Sequence, residues 1–319
     1  MHSLALNTQM TAPHRITTKV MRLHVAIKRI SMSVITGALL ASVHANADDA
    51  PLSSQKLSNS IYLLSGKGGN IGVSIGKDGT FLIDDKFAPM TNDIIEEIKK
   101  VGGSVPKFVL NTHWHGDHTG GNENLGKQGS IIVAHENVRK RLTVDSFIKA
   151  FNNKTTAYPE VALPVITFTQ TMQFHLNDDG IEVIHIPKAH TDGDSVVYFT
   201  NDNVLHTGDI FFNGFFPFID TAHGGTLKGT LKATEQLISM TDESTKIIPG
   251  HGPLANKADL VAYRDMLAAA YLNLKAQKSM GNSLEQAQKA KPLKDLDKKW
   301  SNGIFKADKW IEVVYDGLD

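Results

Sequence analysis

The stretch Asn111-Thr112-His113-Trp114-His115-Gly116-Asp117-His118 sets three histidines and an aspartate within six residues, directly after the apolar run Phe108-Val109-Leu110. Histidine is intermediate between core and surface residues, and a buried imidazole needs a hydrogen-bond partner. Three protonated imidazoles on one turn would repel one another. A shared cation removes that conflict, because neutral imidazole and carboxylate are good zinc ligands. At a strand end, residues i and i+2 point the same way, so His113 and His115 can close on one ion. Gly116 lets the chain turn, and Asp117 and His118 can then face a second ion. In two-metal hydrolytic sites the ions stand roughly 3.5–4 Å apart. The full His-x-His-x-Asp-His pattern is far more specific than a lone His-x-His.

Composition narrows the setting. The chain has 319 residues and no cysteine, so a metal site must use nitrogen and oxygen ligands, and no disulfide holds the fold. Lys plus Arg and Asp plus Glu both total 33, which argues against a nucleic-acid partner with its basic footprint. The N-terminal segment reads as an export signal: Arg22, Lys28 and Arg29 precede the mostly apolar run Ile30 to Val43, and Ala45-Asn46-Ala47 fits a small-x-small cleavage site. That run is shorter than the ~20 apolar residues of a spanning helix. The expectation is a signal peptide over 1–47, with Met21 as an alternative start. A periplasmic or secreted protein with no membrane attachment after cleavage would follow. Residues 48–319 are expected to form one domain with C-terminal helices.

Along the chain, periodicity predicts strands at 61–64, 71–75 and 80–84. It predicts a helix over about 89–101, then the strand 108–111 and the histidine-rich loop. A short helix at 123–127, a strand at 131–134 and helical turns at 136–142 and 144–151 follow, with 152–164 read as loop and 48–60 as a loose polar lead-in. Strands are expected at 167–174, 181–186, 195–199, 204–207 and 246–248. Helices are expected at about 226–240, after an Asn256 cap and after a Ser283 cap. Trp310, Ile311, Val314 and Tyr315 form an apolar face that should dock on the body. Strands then helix, twice over, fits either an ordinary three-layer α/β fold or two sheets face to face with helices outside.

The motif His113-x-His115-x-Asp117-His118, followed by Thr119-Gly120-Gly121-Asn122, resembles the signature of the metallo-β-lactamase superfamily. Three downstream motifs resemble that family's further ligands: His190 in Pro187-Lys188-Ala189-His190-Thr191-Asp192-Gly193-Asp194, Asp209 in Leu205-His206-Thr207-Gly208-Asp209, and His251 in Ile247-Ile248-Pro249-Gly250-His251-Gly252. The resemblance covers about residues 55–265. It implies a four-layer αββα sandwich holding two Zn²⁺ ions, although nitrogen and oxygen sites also take iron or manganese. It assigns His113, His115 and His190 to the first ion, Asp117, His118 and His251 to the second, and Asp209 to a bridge. Asp117 is also the expected catalytic carboxylate, orienting a hydroxide and carrying a proton. Asp84, ending a buried strand, is a candidate for orienting a ligand. Phe212, Phe215 and His223 are candidate substrate contacts.

Departures within the family narrow the substrate. The absence of cysteine excludes lactamases with a cysteine at the second metal. The carboxylate at Asp209 resembles glyoxalase II, lactonases and related esterases, whereas export and a neutral C-terminus argue against glyoxalase II itself. Flavodiiron proteins carry Glu where His115 stands. The leading expectation is an exported zinc hydrolase acting on a small-molecule carbonyl compound, a cyclic amide or ester. The alternatives are a periplasmic lactonase or thioesterase and a metal-binding accessory protein without turnover. Oligomeric state is open.

Overall fold

The computed structural model describes residues 51–318. The expected signal segment lies outside them, and the described residues all fall within one compact unit. Fourteen strands run in chain order as β1 Ser53–Lys56, β2 Ile61–Ser65, β3 Ile71–Gly76, β4 Gly79–Ile83, β5 Phe108–Asn111, β6 Ile131–His135, β7 Ser146–Ile148, β8 Asn153–Thr155, β9 Ile166–Phe168, β10 Thr171–Leu176, β11 Asp179–His185, β12 Ser195–Phe199, β13 Val204–His206 and β14 Lys246–Ile248. The α-helices are α1 Thr91–Lys100, α2 Gly116–Thr119, α3 Asn122–Lys127, α4 Glu136–Leu142, α5 Leu227–Met240, α6 Lys257–Ser279, α7 Leu284–Lys289, α8 Lys294–Trp300 and α9 Ala307–Val314.

Two sheets carry the fold. One has the order β1-β2-β3-β4-β5-β6-β9 and the other β10-β11-β12-β13-β14. Alternation along each strand divides the apolar side chains between layers. Phe81, Ile83 and Leu110 of the first sheet meet Val197, Phe199, Val204 and Ile248 of the second in one core. Their neighbours Leu82 and Val109 face the other way, onto Ile94, Ile95 and Ile98 of α1. Val196, Leu205 and Ile247 of the second sheet face Leu237 of α5 and Leu260, Tyr263 and Leu267 of α6. The layers are therefore helix, sheet, sheet, helix: a four-layer αββα sandwich.

Helix ends follow the sequence signals. Asn256 and Asp259 form a capping box at the start of α6, and Ser283 with Gln286 does the same for α7. Trp310 on α9 is fully buried, stacks on Phe216 with centroids 4.6 Å apart, and donates from Nε1 to the Pro217 carbonyl at 2.6 Å.

Three segments differ from their sequence-based expectation. Residues 146–155 form the two-stranded hairpin β7–β8, with a tight 3₁₀ turn at Lys149–Phe151, where helical turns were expected at 144–151. Spacing alone misleads here: of Val144, Phe147, Ile148 and Phe151, only Ile148 is buried, and Asn152 turns the chain at φ 49°. The expected strand 167–174 is two strands in different sheets. β9 pairs parallel with β6, and β10 pairs antiparallel with β11 after a break at Thr169-Gln170. The polar lead-in contains the edge strand β1, which pairs antiparallel with β2 and keeps its side chains largely exposed.

The topology also sets where a site can form. β4 and β5 run parallel, as do β13 and β14, and the loops leaving these four strands carry Asp84, His113–His118, Asp209 and His251. Pockets outside the carboxyl ends of parallel strands are the common ligand position in α/β sheets.

The Trp310 contacts lock α9 against the 216–220 segment. Trp310→Ala should cost about 3–5 kcal/mol, measured by chemical denaturation; a loss below 1 kcal/mol would show that α9 adds little to the fold.

Candidate metal centre

β5 ends at Asn111, and the next residues leave the strand extended. His115 has φ −67° and ψ 149° and sits at the start of the short helix α2. Asp117 and His118 lie in that helix's first turn, with His118 N donating to the His115 carbonyl at 3.0 Å. The turn sends His113 and His115 to one side and Asp117 and His118 to the other.

The seven donor residues come together as two adjoining groups. In His113, His115, His190 and Asp209, and again in Asp117, His118 and His251, ligand atoms lie within 4.8 Å of one another. Asp209 reaches into both. Its Oδ2 is 3.7 Å from His113 Nε2, 3.5 Å from His190 Nε2 and 3.4 Å from His251 Nε2, and its Oδ1 is 3.0 Å from His118 Nε2. Asp117 Oδ2 is 3.2 Å from His251 Nε2. The loop of Asp209 is fixed by the buried His206, whose Nδ1 accepts from Gly208 N at 3.2 Å.

Most of the rings are held from behind. His118 Nδ1 donates to Asp84 Oδ2 at 2.7 Å, and His190 Nδ1 donates to the Phe218 carbonyl at 2.8 Å. His115 Nε2 lies 2.9 Å from Asp220 Oδ2, and His113 Nδ1 lies 3.1 Å from Thr112 Oγ1. Such partners choose which nitrogen points inward. Asp84 is buried at the left-handed φ of 62°, which Asp tolerates better than most residues, and its carboxylate also accepts from Thr112 N and Thr112 Oγ1, both at 2.7 Å.

Two observations fit a cation. His113 Nε2 is buried and has no hydrogen-bond partner. His190 Nε2 and His115 Nδ1 point at each other across 2.8 Å, although their opposite nitrogens are already engaged. Donors of this kind, imidazole nitrogen and carboxylate oxygen, suit a divalent metal ion.

The electrostatics divide the same way. Burial, reinforced by the neighbouring His118 charge, holds His113 well below the usual histidine range, and burial lowers His190 to about 4. Burial also opposes charge on His118 and His251, but Asp209 and Asp117 outweigh it, raising His118 well above the ordinary value and His251 to about 9. Asp117 and Asp209 stay ionised against the same burial, because the imidazoles of His118 and His251 depress them. Burial thus disfavours charge on His113 and His190, whereas the two carboxylates favour it on His118 and His251.

Backbone walls the centre in. A Cβ on Gly69 would meet the His118 ring at 2.1 Å, one on Gly225 the His190 carbonyl oxygen at 2.1 Å, and one on Gly250 Asp209 Oδ1 at 2.1 Å. In front of the donors lies a cavity of about 420 Å³. His115, Asp117, Asp209 and His251 form its floor, and Phe87, Ile148, Phe151, Phe212, Phe218 and Ile304 its apolar walls. Phe212 also stacks on His251, with centroids 4.9 Å apart. Of the three candidate substrate contacts only Phe212 lines this cavity. Phe215 packs edge-on against Phe212, and His223 is turned away, its Nδ1 bound to the Asp220 carboxylate at 2.7 Å.

Two carboxylates lack a role in the sequence reading. Asp220 joins His115 to His223, but it sits 105 residues from His115, and no local pattern marks it. Asp194 accepts from the backbone N–H of His190 and Thr191, at 2.7 and 2.8 Å, and so shapes the His190 loop. Its position four residues after His190 was the available signal.

The sequence model of the metallo-beta-lactamase superfamily matches residues 64–251. The chain is 28% identical over 210 residues to a probable metallo-hydrolase from Methanocaldococcus jannaschii, covering 63% of this chain and 90% of that one. It is also 28% identical over 147 residues, 46% of its length, to a hydroxyacylglutathione hydrolase of Pelagibacter ubique, and the match spans only about half (51%) of that relative. Among solved structures, a metallo-beta-lactamase from Pontibacter korlensis superposes with a TM-score of 0.55 at 23% identity, over 68% of this chain and 99% of that one. Fold and donor clusters together define an αββα protein built around a candidate metal centre. The chain belongs to the metallo-beta-lactamase superfamily, and the two relatives named above are a hydrolase and a probable metallo-hydrolase.

If Asp84 and Asp220 orient their histidines, Asp84→Asn and Asp220→Asn should each weaken metal affinity about 10- to 100-fold. Competition with a chromophoric chelator measures this. Unchanged affinity in the second variant would reduce Asp220 to a packing role.

Proposed function

We propose that this protein is an exported, dinuclear zinc hydrolase that attacks the carbonyl carbon of a small molecule, a cyclic amide or an ester, and cleaves its acyl C–N or C–O bond. The observation supporting this reading most strongly is that two donor clusters share the Asp209 carboxylate at the floor of an open cavity. Zinc held there would acidify a water, whose pKa falls from ~15.7 to about 7, and polarise a carbonyl oxygen.

The residues divide the work. His113, His115 and His190 donate as neutral imidazoles and would leave most of an ion's charge available. Asp209 serves both clusters and ties their spacing to one rigid carboxylate. Asp117 lines the cavity beside His251. It is placed to orient the attacking water and to carry its proton to the leaving atom. No Ser, Thr, Lys or Tyr is among the residues lining the cavity, and its aspartates and histidines are assigned as metal donors, so the reading uses no covalent enzyme intermediate. The basic and apolar runs at 22–43 support export.

Full-length protein, its metal content measured, should hydrolyse p-nitrophenyl acetate or a chromogenic cephalosporin, and a chelator should abolish the turnover. Two equivalents of bound metal with no turnover on esters, lactones, thioesters or cyclic amides would favour the accessory reading. Asp117→Asn should lower kcat about 10²- to 10⁴-fold with unchanged circular dichroism; undiminished kcat would overturn the proton-carrying role. N-terminal sequencing of the exported protein should begin at Asp48.

A further inference from the structure

Beyond the floor, the cavity is lined by six apolar side chains and two asparagines, Asn152 and Asn153. No lysine or arginine is among the lining residues, and the floor carboxylates Asp117 and Asp209 belong to the donor clusters, so above the floor the walls offer no side-chain cation. A free carboxylate on the part of a substrate that these walls cover would lose hydration, and a carboxylate buried without a partner cation is costly. The walls give it no such partner. They offer apolar surface instead.

Part of that surface is held open to water. Phe151 is 44% exposed and Ile304 is 45% exposed, yet both line the cavity. Phe151 is not a stray side chain. It packs on Phe218 with centroids 4.8 Å apart and stacks on Phe305 at 5.8 Å with an interplanar angle of 26°. Phe305 is buried and follows Ile304 in the turn joining α8 to α9. Gly303 in the same turn packs so tightly on Phe215 that a Cβ there would lie 2.3 Å from that ring. The lip of the cavity is thus a fixed apolar ledge, built by the β7–β8 hairpin from one side and the 301–306 turn from the other. The turn lies outside residues 64–251, the stretch the family shares.

Resting on the hydrolase reading above, we infer that the substrate is an uncharged ester or lactone bearing an apolar chain, and that Phe151 and Ile304 set the preference for that chain. Water adds across the acyl C–O bond: the hydroxyl goes to the acyl carbon and the proton to the departing alkoxide oxygen. The products are a carboxylic acid and an alcohol, which stay in one molecule when the substrate is a lactone.

The test uses the metal-loaded full chain on p-nitrophenyl acetate, butyrate and octanoate, on γ-lactones of increasing alkyl length, and on p-nitrophenyl hydrogen succinate as the charged counterpart. The expected kcat/KM rises about threefold to fourfold for each methylene that the ledge buries, and the succinate falls below the butyrate. Phe151→Ala and Ile304→Ala should each lower the octanoate-to-acetate ratio. Asn153→Lys should raise the succinate-to-butyrate ratio about twofold to fivefold. Calorimetry provides a readout without turnover: 2-decanone should bind more tightly than 2-butanone, with a negative heat-capacity change, and Phe151→Ala should weaken the former. Turnover with a flat chain-length profile, or faster turnover of the succinate, would overturn this inference and leave the hydrolase reading standing. Metal-loaded protein inert to every ester and lactone but active on a cyclic amide would overturn this inference alone; protein inert to esters, lactones, thioesters and cyclic amides would overturn both.

Discussion

Five imidazoles and two carboxylates can share one small buried volume only if nearly every ring is held from behind. That constraint organises the structure. Asp84 holds His118, the Phe218 carbonyl holds His190, Thr112 lies against His113 and Asp220 against His115. These partners come from the end of β4, the end of β5 and the loop before α5, so the loops at one end of both sheets must converge to supply them. Remove one, and a ring gains freedom to turn its inward nitrogen away from the shared centre.

The charges obey the same geometry. Burial draws the pKa values of the deep His113 and His190 down, whereas at His118 and His251 the two facing carboxylates outweigh burial and draw them up. A single carboxylate, Asp209, touches both environments. It lies in the tight turn leaving β13, beside the β14 exit that delivers His251. The parallel pairing of two short strands therefore sets the distance between the two halves of the site.

Much of this was legible in the sequence, and unevenly. The 113–118 motif is local: its spacing and Gly116 suffice to place donors on both sides of one turn. His190, Asp209 and His251 each follow a strand-like run and were legible through family resemblance. Asp220 was not, because its partner is more than a hundred residues away and a lone aspartate after apolar residues carries no pattern. The 146–155 hairpin was misread because a solvent-facing segment buries almost nothing, and burial is what gives periodicity its meaning. The 167–174 stretch reads as one strand because its residues favour extended backbone throughout; its break at Thr169-Gln170 arises from the two sheets it joins. β1 was invisible because an edge strand is held by backbone hydrogen bonds, and its side chains need follow no pattern.

The glycines at 69, 225 and 250 stand where any side chain would collide with His118, the His190 backbone or Asp209. For a lineage under selection to accept a new compound, those three positions are closed, since every substitution there damages the reactive centre before it alters what is recognised. Phe151 and Ile304 themselves, about half exposed at the lip, are not among the donors or their backing partners, so substitutions at these two positions spare that centre. Divergence is thereby channelled outward, so that the same inner apparatus can be inherited intact while the ledge around it is rewritten.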